Sequence, residues 1–101
     1  MADPVGLSAR EEILDRLLAY TRGIDRLDEA SLLSAFHPQA VMVDYGAEPM
    51  SIEDFVSHAL PSLRKRFVAT QHRVSNIRIE IDDDLAVVES YVLAYHVEAS
   101  G

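Results

Sequence analysis

The sequence predicts a small α+β fold in which helices pack against a curved antiparallel sheet. Two observations support this prediction. Apolar residues recur at helical spacing in the first two thirds of the chain, and two long runs near its end follow the two-residue period of strands. With 101 residues, 49% of them hydrophobic, the chain has the size of one domain with its own core, so we expect a single domain over residues 1–101.

The first helix is predicted to begin at Ser8 and to end near Asp25. Ser8 and Glu11 have the spacing of a capping box, in which the two side chains satisfy free backbone amides at a helix start. Residues 1–7 are then expected to be a flexible lead-in. Apolar residues at helical spacing form the stripe that this helix should bury: Ile13, Leu14, Leu17, Leu18 and Ile24.

A second, short helix and a strand are predicted to follow. Asp28 can cap a helix from Glu29 to Phe36. His37 precedes Pro38 and should end that helix, because a residue before proline avoids helical geometry. We expect a strand over residues 40–45.

Ser51 is predicted to open a third helix, whose apolar stripe continues to Phe67. Pro61 lies inside this stripe, and we expect it to kink the helix or to split it near Ala59. The basic run 64–66 at the end of the helix suits the negative end of the helix dipole and does not require a nucleic-acid partner.

Two long strands are predicted over residues 70–81 and 85–97, joined by a run of three aspartates. Asp tolerates turn geometry, and a turn is favoured over a calcium site because the run lacks further oxygen ligands. In the first strand the apolar residues change faces near Asn76. That change indicates either a β-bulge or a bent strand that is covered on different faces along its length.

The second long strand is apolar on both faces, so we expect both faces to be buried. One face would pack on the helices, and another copy of the chain is the simplest cover for the other. The sequence therefore predicts a homodimer or a higher homo-oligomer. One face carries Leu85, Val87, Tyr91, Leu93, Tyr95 and Val97, and the other carries Ala86, Val88, Val92 and Ala94.

Composition excludes several classes of partner. The net charge of -8 and the scattered 9 basic residues argue against nucleic-acid binding. The chain has no cysteine for a disulfide or a thiolate metal site, and no apolar run of about 20 residues for a membrane span. Its first residues lack the basic and apolar regions of a secretory signal. We therefore expect a soluble cytoplasmic protein.

Asp25, at the end of the first helix, and His72, near the start of a long strand, are the candidate acid–base pair. If they meet, the carboxylate fixes the imidazole tautomer, and the other ring nitrogen can abstract a proton from a carbon next to a carbonyl or a leaving group. Two alternatives stay open: Asp25 satisfies amides at the helix junction, or His72 is a hydrogen-bonded core histidine. No metal site is expected, because no acidic partners stand at metal-ligand spacing from His37, His58 and His96.

Further side chains are candidates for binding a hydrophobic substrate. A tyrosine hydroxyl can donate a hydrogen bond to a developing oxyanion, and an asparagine amide can orient a substrate. The alternative for the strand tyrosines is a core position with a satisfied hydroxyl, and for the asparagine it is a role in the strand itself. The candidate pocket residues are Tyr20, Tyr45, Phe67, Asn76, Tyr91, Leu93 and Tyr95.

Several motifs, in this order, resemble the SnoaL-like branch of the nuclear transport factor 2-like (NTF2-like) superfamily. They are Tyr20…Ile24-Asp25-Arg26-Leu27-Asp28, Leu32…Phe36-His37-Pro38-Gln39-Ala40-Val41, Thr70-Gln71-His72…Asn76 and Leu85-Ala86-Val87-Val88. The resemblance covers most of the chain and implies a cone-shaped fold, with a curved antiparallel sheet around N-terminal helices. Similar members continue for one or two more strands, so the resemblance implies a cone that lacks its last strands or that another subunit completes.

The resemblance also implies a chemistry. In dehydratase-like and dehydrochlorinase-like members, an Asp and a His at the positions of Asp25 and His72 act as a general base without a cofactor or a metal. A small cofactor-free enzyme is therefore expected, of the lyase (dehydratase) or isomerase (polyketide cyclase) type, acting on a hydrophobic small molecule. The alternative is a non-catalytic module of the same fold that binds a small ligand or dimerises.

Overall fold

The structure is a computed structural model, and it describes residues 5–98. It confirms the predicted α+β class, with a layer of helices against a long antiparallel hairpin. The elements are α1 (Val5–Asp25), α2 (Glu29–Ser34), β1 (Val41–Met42), β2 (Met50–Ser51), α3 (Ile52–Arg66), β3 (Phe67–Asp82) and β4 (Leu85–Glu98).

The start of α1 differs from the prediction. The helix already includes Val5, so Ser8 lies inside it and the capping box predicted at Ser8 and Glu11 is wrong. The helical period of the apolar stripe does not mark where a helix begins. Here the helix begins before Ser8, the first residue that the sequence offers as a cap. Residues 5–7 of the predicted lead-in belong to α1, and residues 1–4 lie outside the described part of the chain.

The three helices enclose the core of the protein. Side chains from the end of α1, from α2 and from α3 pack together there, and Leu32 is fully buried at the centre. Gly23 makes this packing possible, because a Cβ at that position would lie 2.6 Å from the backbone nitrogen of Leu32. The buried hydrophobic residues are Ile24, Leu32, Ile52, Phe55, Val56, Ala59 and Leu60.

The junction between α1 and α2 is tightly defined. Leu27 adopts a left-handed conformation (φ 52°), and the amide of Asp28 donates to the carbonyl of Gly23 at 2.9 Å. This is the hydrogen-bond pattern of a Schellman motif, which ends α1 immediately after Asp25. The Asp28 carboxylate accepts from the amide and the hydroxyl of Ser31, as predicted for a helix cap, and these hydrogen bonds lower the pKa of Asp28.

Helix α3 begins where the sequence predicts, since the Ser51 hydroxyl accepts from the amide of Asp54. The helix then continues through Pro61 to Arg66, so the predicted split near Ala59 is wrong. Residues on both sides of the proline belong to one buried stripe, and the exposed Pro61 itself lies on the opposite, solvent side. Packing of the stripe thus offsets the hydrogen bond that the proline removes.

The predicted strand over residues 40–45 is shorter than expected. Only Val41–Met42 is a strand, and it pairs with Met50–Ser51, a strand that the sequence did not predict. Each strand has two residues, which is too short for an alternating pattern to be recognised. Tyr45 consequently lies in the loop between them and not on a strand.

Of the two alternatives expected for the long hairpin, a β-bulge or a bent strand, the structure shows the β-bulge. Between Ser75 and Arg78 the register advances by one more residue on β3 than on β4, and Asn76 has a left-handed φ of 53°. Asn tolerates this conformation better than most residues. The extra residue of the bulge shifts the alternation of side chains along β3 by one position. As a result, Ile79 and Ile81 lie on the same face as His72.

Helix α1 lies along β3 and runs in the opposite direction. Arg10 Nη1 donates to the carbonyl of Ile79 at 2.9 Å, and Asp25 contacts His72 at the other end of the helix. The helix from residue 10 to 25 rises about 22 Å, and the strand from 72 to 79 extends about 23 Å. The helical and the strand segment are therefore almost equal in length. With Arg10 at Ile79, this places Asp25 opposite His72.

The hairpin has two distinct faces. The helix-side face follows from the contact of His72 with α1 and from the strand register; it carries Thr70, His72, Val74, Ile79 and Ile81 of β3 and Val88, Ser90, Val92, Ala94 and His96 of β4. The outer face carries Gln71, Arg73 and Ser75 of β3 and Leu85, Val87, Tyr91, Leu93, Tyr95 and Val97 of β4.

Strand β4 is more exposed than the sequence predicts. Its apolar side chains are exposed on both faces, from 38% for Val88 to 75% for Leu85. The expectation that the helices bury one face of β4 is therefore wrong, since Val88 and Val92 on the helix-side face are 38% and 53% exposed; α1 lies over β3 instead. Among the described residues, no helix is both long enough and apolar enough to cross a membrane.

Candidate functional site

Asp25 and His72 are in direct contact. The Asp25 carboxylate, at the last residue of α1, lies 2.6 Å from Nδ1 of the His72 ring. The His72 side chain is 13% exposed and that of Asp25 is 20% exposed, so the contact is shielded but reachable from solvent. We refer to these two residues as the dyad.

Two further hydrogen bonds hold the Asp25 carboxylate in place. The backbone amide of His72 donates to Oδ2 at 2.9 Å, and the hydroxyl of Thr70 donates to Oδ1 at 3.0 Å. Thr70 lies two residues before His72 and thus on the same face of β3. β3 therefore donates hydrogen bonds to both carboxylate oxygens of Asp25, and Oδ1 also contacts the His72 ring.

The geometry defines the tautomer of His72. A carboxylate oxygen only accepts hydrogen bonds, so Nδ1 carries a hydrogen, and in the neutral form of the ring Nε2 is the nitrogen with the lone pair. In the described part of the chain, no residue forms a hydrogen bond with Nε2. The ring of His96 meets that of His72 edge-on, with centroids 5.7 Å apart, and the ring of Phe67 lies 4.4 Å from that of His96 at an interplanar angle of 37°.

The alternative that Asp25 satisfies amides at the helix junction is not observed. The amides after α1 bond to helix carbonyls, and Asp28 caps α2. Asp25 instead reaches across to β3, where its partners are 45 and 47 residues away in sequence. The alternative that His72 is a hydrogen-bonded core histidine is compatible with the same contacts.

An apolar cleft of about 600 Å³ lies between α1, the end of α2 and β4. Two of its lining residues, Val88 and Ser90, lie on the helix-side face and so on the same side of the sheet as His72. Neither Asp25 nor His72 lines the cleft itself. The remaining lining residues are Ile13, Arg16, Leu17, Tyr20, Ala35, Phe36 and Met42.

Tyr20 lines the cleft and lies on the same helix as Asp25, five residues before it, which corresponds to about 7.5 Å along the helix axis. Burial raises the pKa of the Tyr20 hydroxyl above its ordinary value of 10.0, and the nearby Tyr45 raises it further. The phenol thus keeps its hydrogen at neutral pH and can donate it in a hydrogen bond.

The other predicted pocket residues are in different places. Tyr45 packs edge-on against Phe55 at 4.8 Å and is half exposed. Phe67 lies next to Asp25 in a cavity of about 30 Å³ at the start of β3. Asn76 is exposed and forms the bulge, which supports the alternative that it serves the strand.

Three predicted pocket residues are on the wrong side of the sheet. Tyr91, Leu93 and Tyr95 belong to the outer face, and each is more than half exposed. The prediction that they share a pocket with His72 is wrong within this chain, because the strand register aligns them with Ser75, Arg73 and Gln71. Their exposure also contradicts the alternative that the two tyrosines are core aromatics.

Sequence analysis missed two residues of the site. Thr70 and His96 both lie on the helix-side face next to His72, and they are opposite each other in the strand register. The signal was available for Thr70, since residues two apart on a strand share a face. His96 could be recognised only with the pairing of the two strands.

In the part of the chain that the structure describes, no group of His, Asp or Glu residues is arranged to hold a metal ion.

Solved structures with the same fold cover nearly the whole chain. The Kfla4162 protein of Kribbella flavida superimposes with a TM-score of 0.78 at 24% identity, over 90% of this chain and 65% of that one. A putative scytalone dehydratase from Novosphingobium aromaticivorans gives 0.78 at 23% identity, over 95% and 65%. A type 2 hexachlorocyclohexane dehydrochlorinase (LinA) gives 0.76 at 22% identity, over 91% and 64%.

These similarities concern the fold, since all three identities are below 25%, and the chain spans about 65% of the length of these proteins. No curated protein matches the sequence. A family model does match: that of the SnoaL-like domain, over residues 6–101. This match covers nearly the whole sequence, and the fold agrees with it. The chain belongs to the SnoaL-like domain family.

Proposed function

We propose that the protein is a cofactor-free lyase or isomerase in which His72, oriented by Asp25, removes a proton from carbon in a hydrophobic small molecule. The observation that carries this proposal is the 2.6 Å contact between Asp25 Oδ1 and His72 Nδ1. It leaves Nε2 as a base with a defined direction, which general base catalysis requires. The names of two structural neighbours, a putative dehydratase and a dehydrochlorinase, support an elimination reaction.

The proposed step begins with the lone pair of Nε2. It takes a proton from a carbon that is adjacent to a carbonyl or that neighbours a carbon with a leaving group. In an elimination, the electrons of the broken C–H bond form the double bond and a halide departs, or a hydroxyl group departs as water after taking the proton back from the His72 imidazolium. In an isomerisation, the electrons move to the carbonyl oxygen, and the imidazolium returns the proton to another carbon of the resulting enolate. The Asp25 carboxylate stabilises the imidazolium that forms in either case.

The cleft suits a hydrophobic substrate. Its walls are mainly apolar, and its volume of about 600 Å³ is in the range of small-molecule sites. Tyr20 retains its hydrogen because its pKa is raised, so its hydroxyl can stabilise negative charge that develops on a substrate oxygen. A ketone or phenol substrate would accept this hydrogen bond from Tyr20. Elimination of a halide does not need it.

The test is a turnover screen with matched variants. The panel consists of hydrophobic cyclic compounds that carry an acidic C–H and a hydroxyl or halide on the next carbon, and the assay follows halide release or the absorbance of the new double bond. We expect His72→Ala and Asp25→Asn each to lower turnover at least about 100-fold, because general base catalysis contributes that much or more. His58→Ala, an exposed histidine on α3, is the control and should keep full activity. Unchanged turnover in the dyad variants would refute the proposal.

A second candidate is a non-catalytic domain that binds an apolar ligand. The observation that favours it is that the cleft is lined without Asp25 or His72. The same panel separates the two functions. Saturable binding with no turnover, unaffected by His72→Ala, would support the binding domain and count against the enzyme.

A further inference from the structure

We infer that the ligand of the cleft is a hydrophobic carboxylic acid whose carboxylate binds the guanidinium of Arg16. The inference rests on that part of the proposed function which places a hydrophobic small molecule in the cleft, and it adds a charged group to that molecule. It does not require the dyad to be catalytic, because neither Asp25 nor His72 lines the cleft.

Among the described residues that line the cleft, Arg16 is the only charged one. Its neighbours Ile13, Leu17 and Tyr20 also line the cleft, and the four positions have the spacing of a single helix face. Tyr20 lies four residues after Arg16, about 6 Å further along the axis of α1. The cleft therefore combines apolar walls with one positive charge, and a few polar groups in an apolar pocket are typical of small-molecule sites.

A hydrogen bond between two helices orients the Arg16 side chain. Nη1 donates to the carbonyl of Ser34, the last residue of α2, at 2.8 Å. Residues 35–36, which follow Ser34, line the cleft, so this bond holds the guanidinium at the cleft wall. A guanidinium has five N–H donors. The donors that Ser34 does not use are available to a ligand, and the exposure of Arg16 makes them accessible.

The positive charge of Arg16 is not neutralised within the described part of the chain. No carboxylate there forms an ion pair with it. This is notable because the chain has a net charge of -8, and because Glu12 lies one helical turn before Arg16, where an ion pair is common. A guanidinium that is held in place without an acidic partner suits an anionic ligand, with which it forms strong charge-assisted hydrogen bonds.

The single charge favours a carboxylate over a phosphate. A phosphate group carries a charge of roughly -1.5 to -2 at neutral pH. One arginine would leave part of that charge unmatched against apolar walls, which is unfavourable. A carboxylate carries one negative charge, and its two oxygens fit the planar guanidinium with two parallel hydrogen bonds.

The position of Arg16 also limits the shape of the ligand. Arg16 lies nine residues before Asp25 on α1, which corresponds to about 13.5 Å along the helix axis. A substrate that reaches from Arg16 to Nε2 of His72 is therefore elongated, and its carboxylate is at the end remote from the reacting carbon. The ligand class is thus a hydrophobic acid of two or more rings, for which a cleft of about 600 Å³ has room.

The experiment compares two probes of the same shape, naphthoate and its neutral amide, naphthamide. Dissociation constants are measured at neutral pH from the fluorescence of the naphthalene ring. We expect the wild type to bind naphthoate at least about tenfold more tightly than naphthamide, because hydrogen bonds between charged groups contribute at least that factor. Arg16→Gln should reduce this ratio to about one. Its amide can still donate to the carbonyl of Ser34, so the link between α1 and α2 is kept.

Arg64→Gln is the matched control, since it removes the same charge from an exposed position on α3 and should keep the ratio. If Arg16 only links the two helices, Arg16→Gln should weaken the binding of both probes equally and leave the ratio unchanged. That result would overturn the inference. Equal affinity of the wild type for both probes, or binding of neither, would also overturn it.

His72→Ala separates this inference from the proposed reaction. The ratio should be the same in His72→Ala as in the wild type, because the carboxylate is held at Arg16. A ratio lost in His72→Ala would place the acid at the dyad and overturn the inference. If the turnover screen fails while the ratio depends on Arg16, the enzyme is refuted and the acid-binding cleft stands. If turnover depends on His72 while the ratio does not depend on Arg16, the reverse holds.

Discussion

The helix layer and the β3–β4 hairpin bury their apolar residues to very different degrees. In the helix layer, Leu32 is fully buried and Phe55 is 3% exposed, and the buried core residues come from α1, α2 and α3. On β4, Leu93 is 56% exposed although it is as apolar as Leu32. The same kinds of residue therefore stabilise the chain in one region and form free surface in the other.

The two regions are stabilised by different interactions. The helix layer is stabilised by packing, whereas β4 is held mainly by its hydrogen bonds to β3. The dyad lies at the boundary, with Asp25 from the helix layer and His72 from the hairpin. Its geometry thus depends on how well the two layers are joined.

The largest effect is expected for truncation in the helix layer. Phe55→Ala removes a ring that packs against the rings of Phe36 and Tyr45, and it should lower the free energy of unfolding by about 3–5 kcal/mol. Leu93→Ala on β4 should change it by no more than about 0.5 kcal/mol at a concentration where the chain is monomeric, because the side chain is already hydrated.

Urea denaturation of both variants measures this difference. If Leu93→Ala cost as much as Phe55→Ala in the monomer, the contrast between the two regions would be wrong. If its cost appeared only at higher protein concentration, the exposed surface of β4 would be part of an interface.

A smaller effect is expected at the close approach of α1 and α2. A Cβ at Gly23 would lie 2.6 Å and 2.7 Å from the backbone N and Cα of Leu32, which cannot move without shifting α2. Gly23→Ala should therefore destabilise the chain by about 1–3 kcal/mol, although alanine favours a helix. Thermal unfolding followed by circular dichroism measures the change.

Gly46→Ala is the matched control for this substitution. Its added Cβ would meet only the terminal methyl group of Met50, at 3.8 Å, and Gly46 does not have a positive φ. The change should be neutral or stabilising by up to about 1 kcal/mol. A neutral Gly23→Ala would show that the helix layer is less tightly packed than the structure indicates.

The contrast also explains what the sequence could predict. Local signals gave the cap of α2 at Asp28, the start of α3 at Ser51 and the bulge at Asn76, because each depends on one residue and its neighbours. Pro61 shows where local reasoning failed: the buried stripe around it kept α3 continuous. The pairing of β1 with β2 and the exposure of β4 depend on contacts between distant elements, which no local pattern records.

The candidate site follows the same division. The contact between Asp25 and His72 was predicted through a family resemblance, and the matched lengths of α1 and β3 account for it. The sequence did not predict that Tyr91, Leu93 and Tyr95 lie on the outer face. Both faces of β4 are apolar, so the hydrophobic pattern does not show which face meets the helices. The register alone decides which face meets the helices.

The smallest effect is expected for the ionisation of Tyr20, where the helix layer meets β4. The pKa of this hydroxyl is raised in the folded chain, chiefly by burial and also by Tyr45. The folded chain therefore holds the hydroxyl proton more tightly than the unfolded chain does. The stability that this contributes is complete below the unfolded pKa, near 10.0, and is lost as the pH rises through the higher folded pKa.

Unfolding free energies from about pH 8 to about pH 11 should therefore fall in the wild type, and the fall should be shallower in Tyr20→Phe, which has no hydroxyl to ionise. Tyr45→Phe should give an intermediate slope, because it removes the lesser cause of the shift. Identical slopes in all three proteins would mean that Tyr20 is hydrated in solution. The cleft wall would then resemble the open surface of β4 and not the closed core, and Tyr20 would lose the protection that keeps it a hydrogen-bond donor.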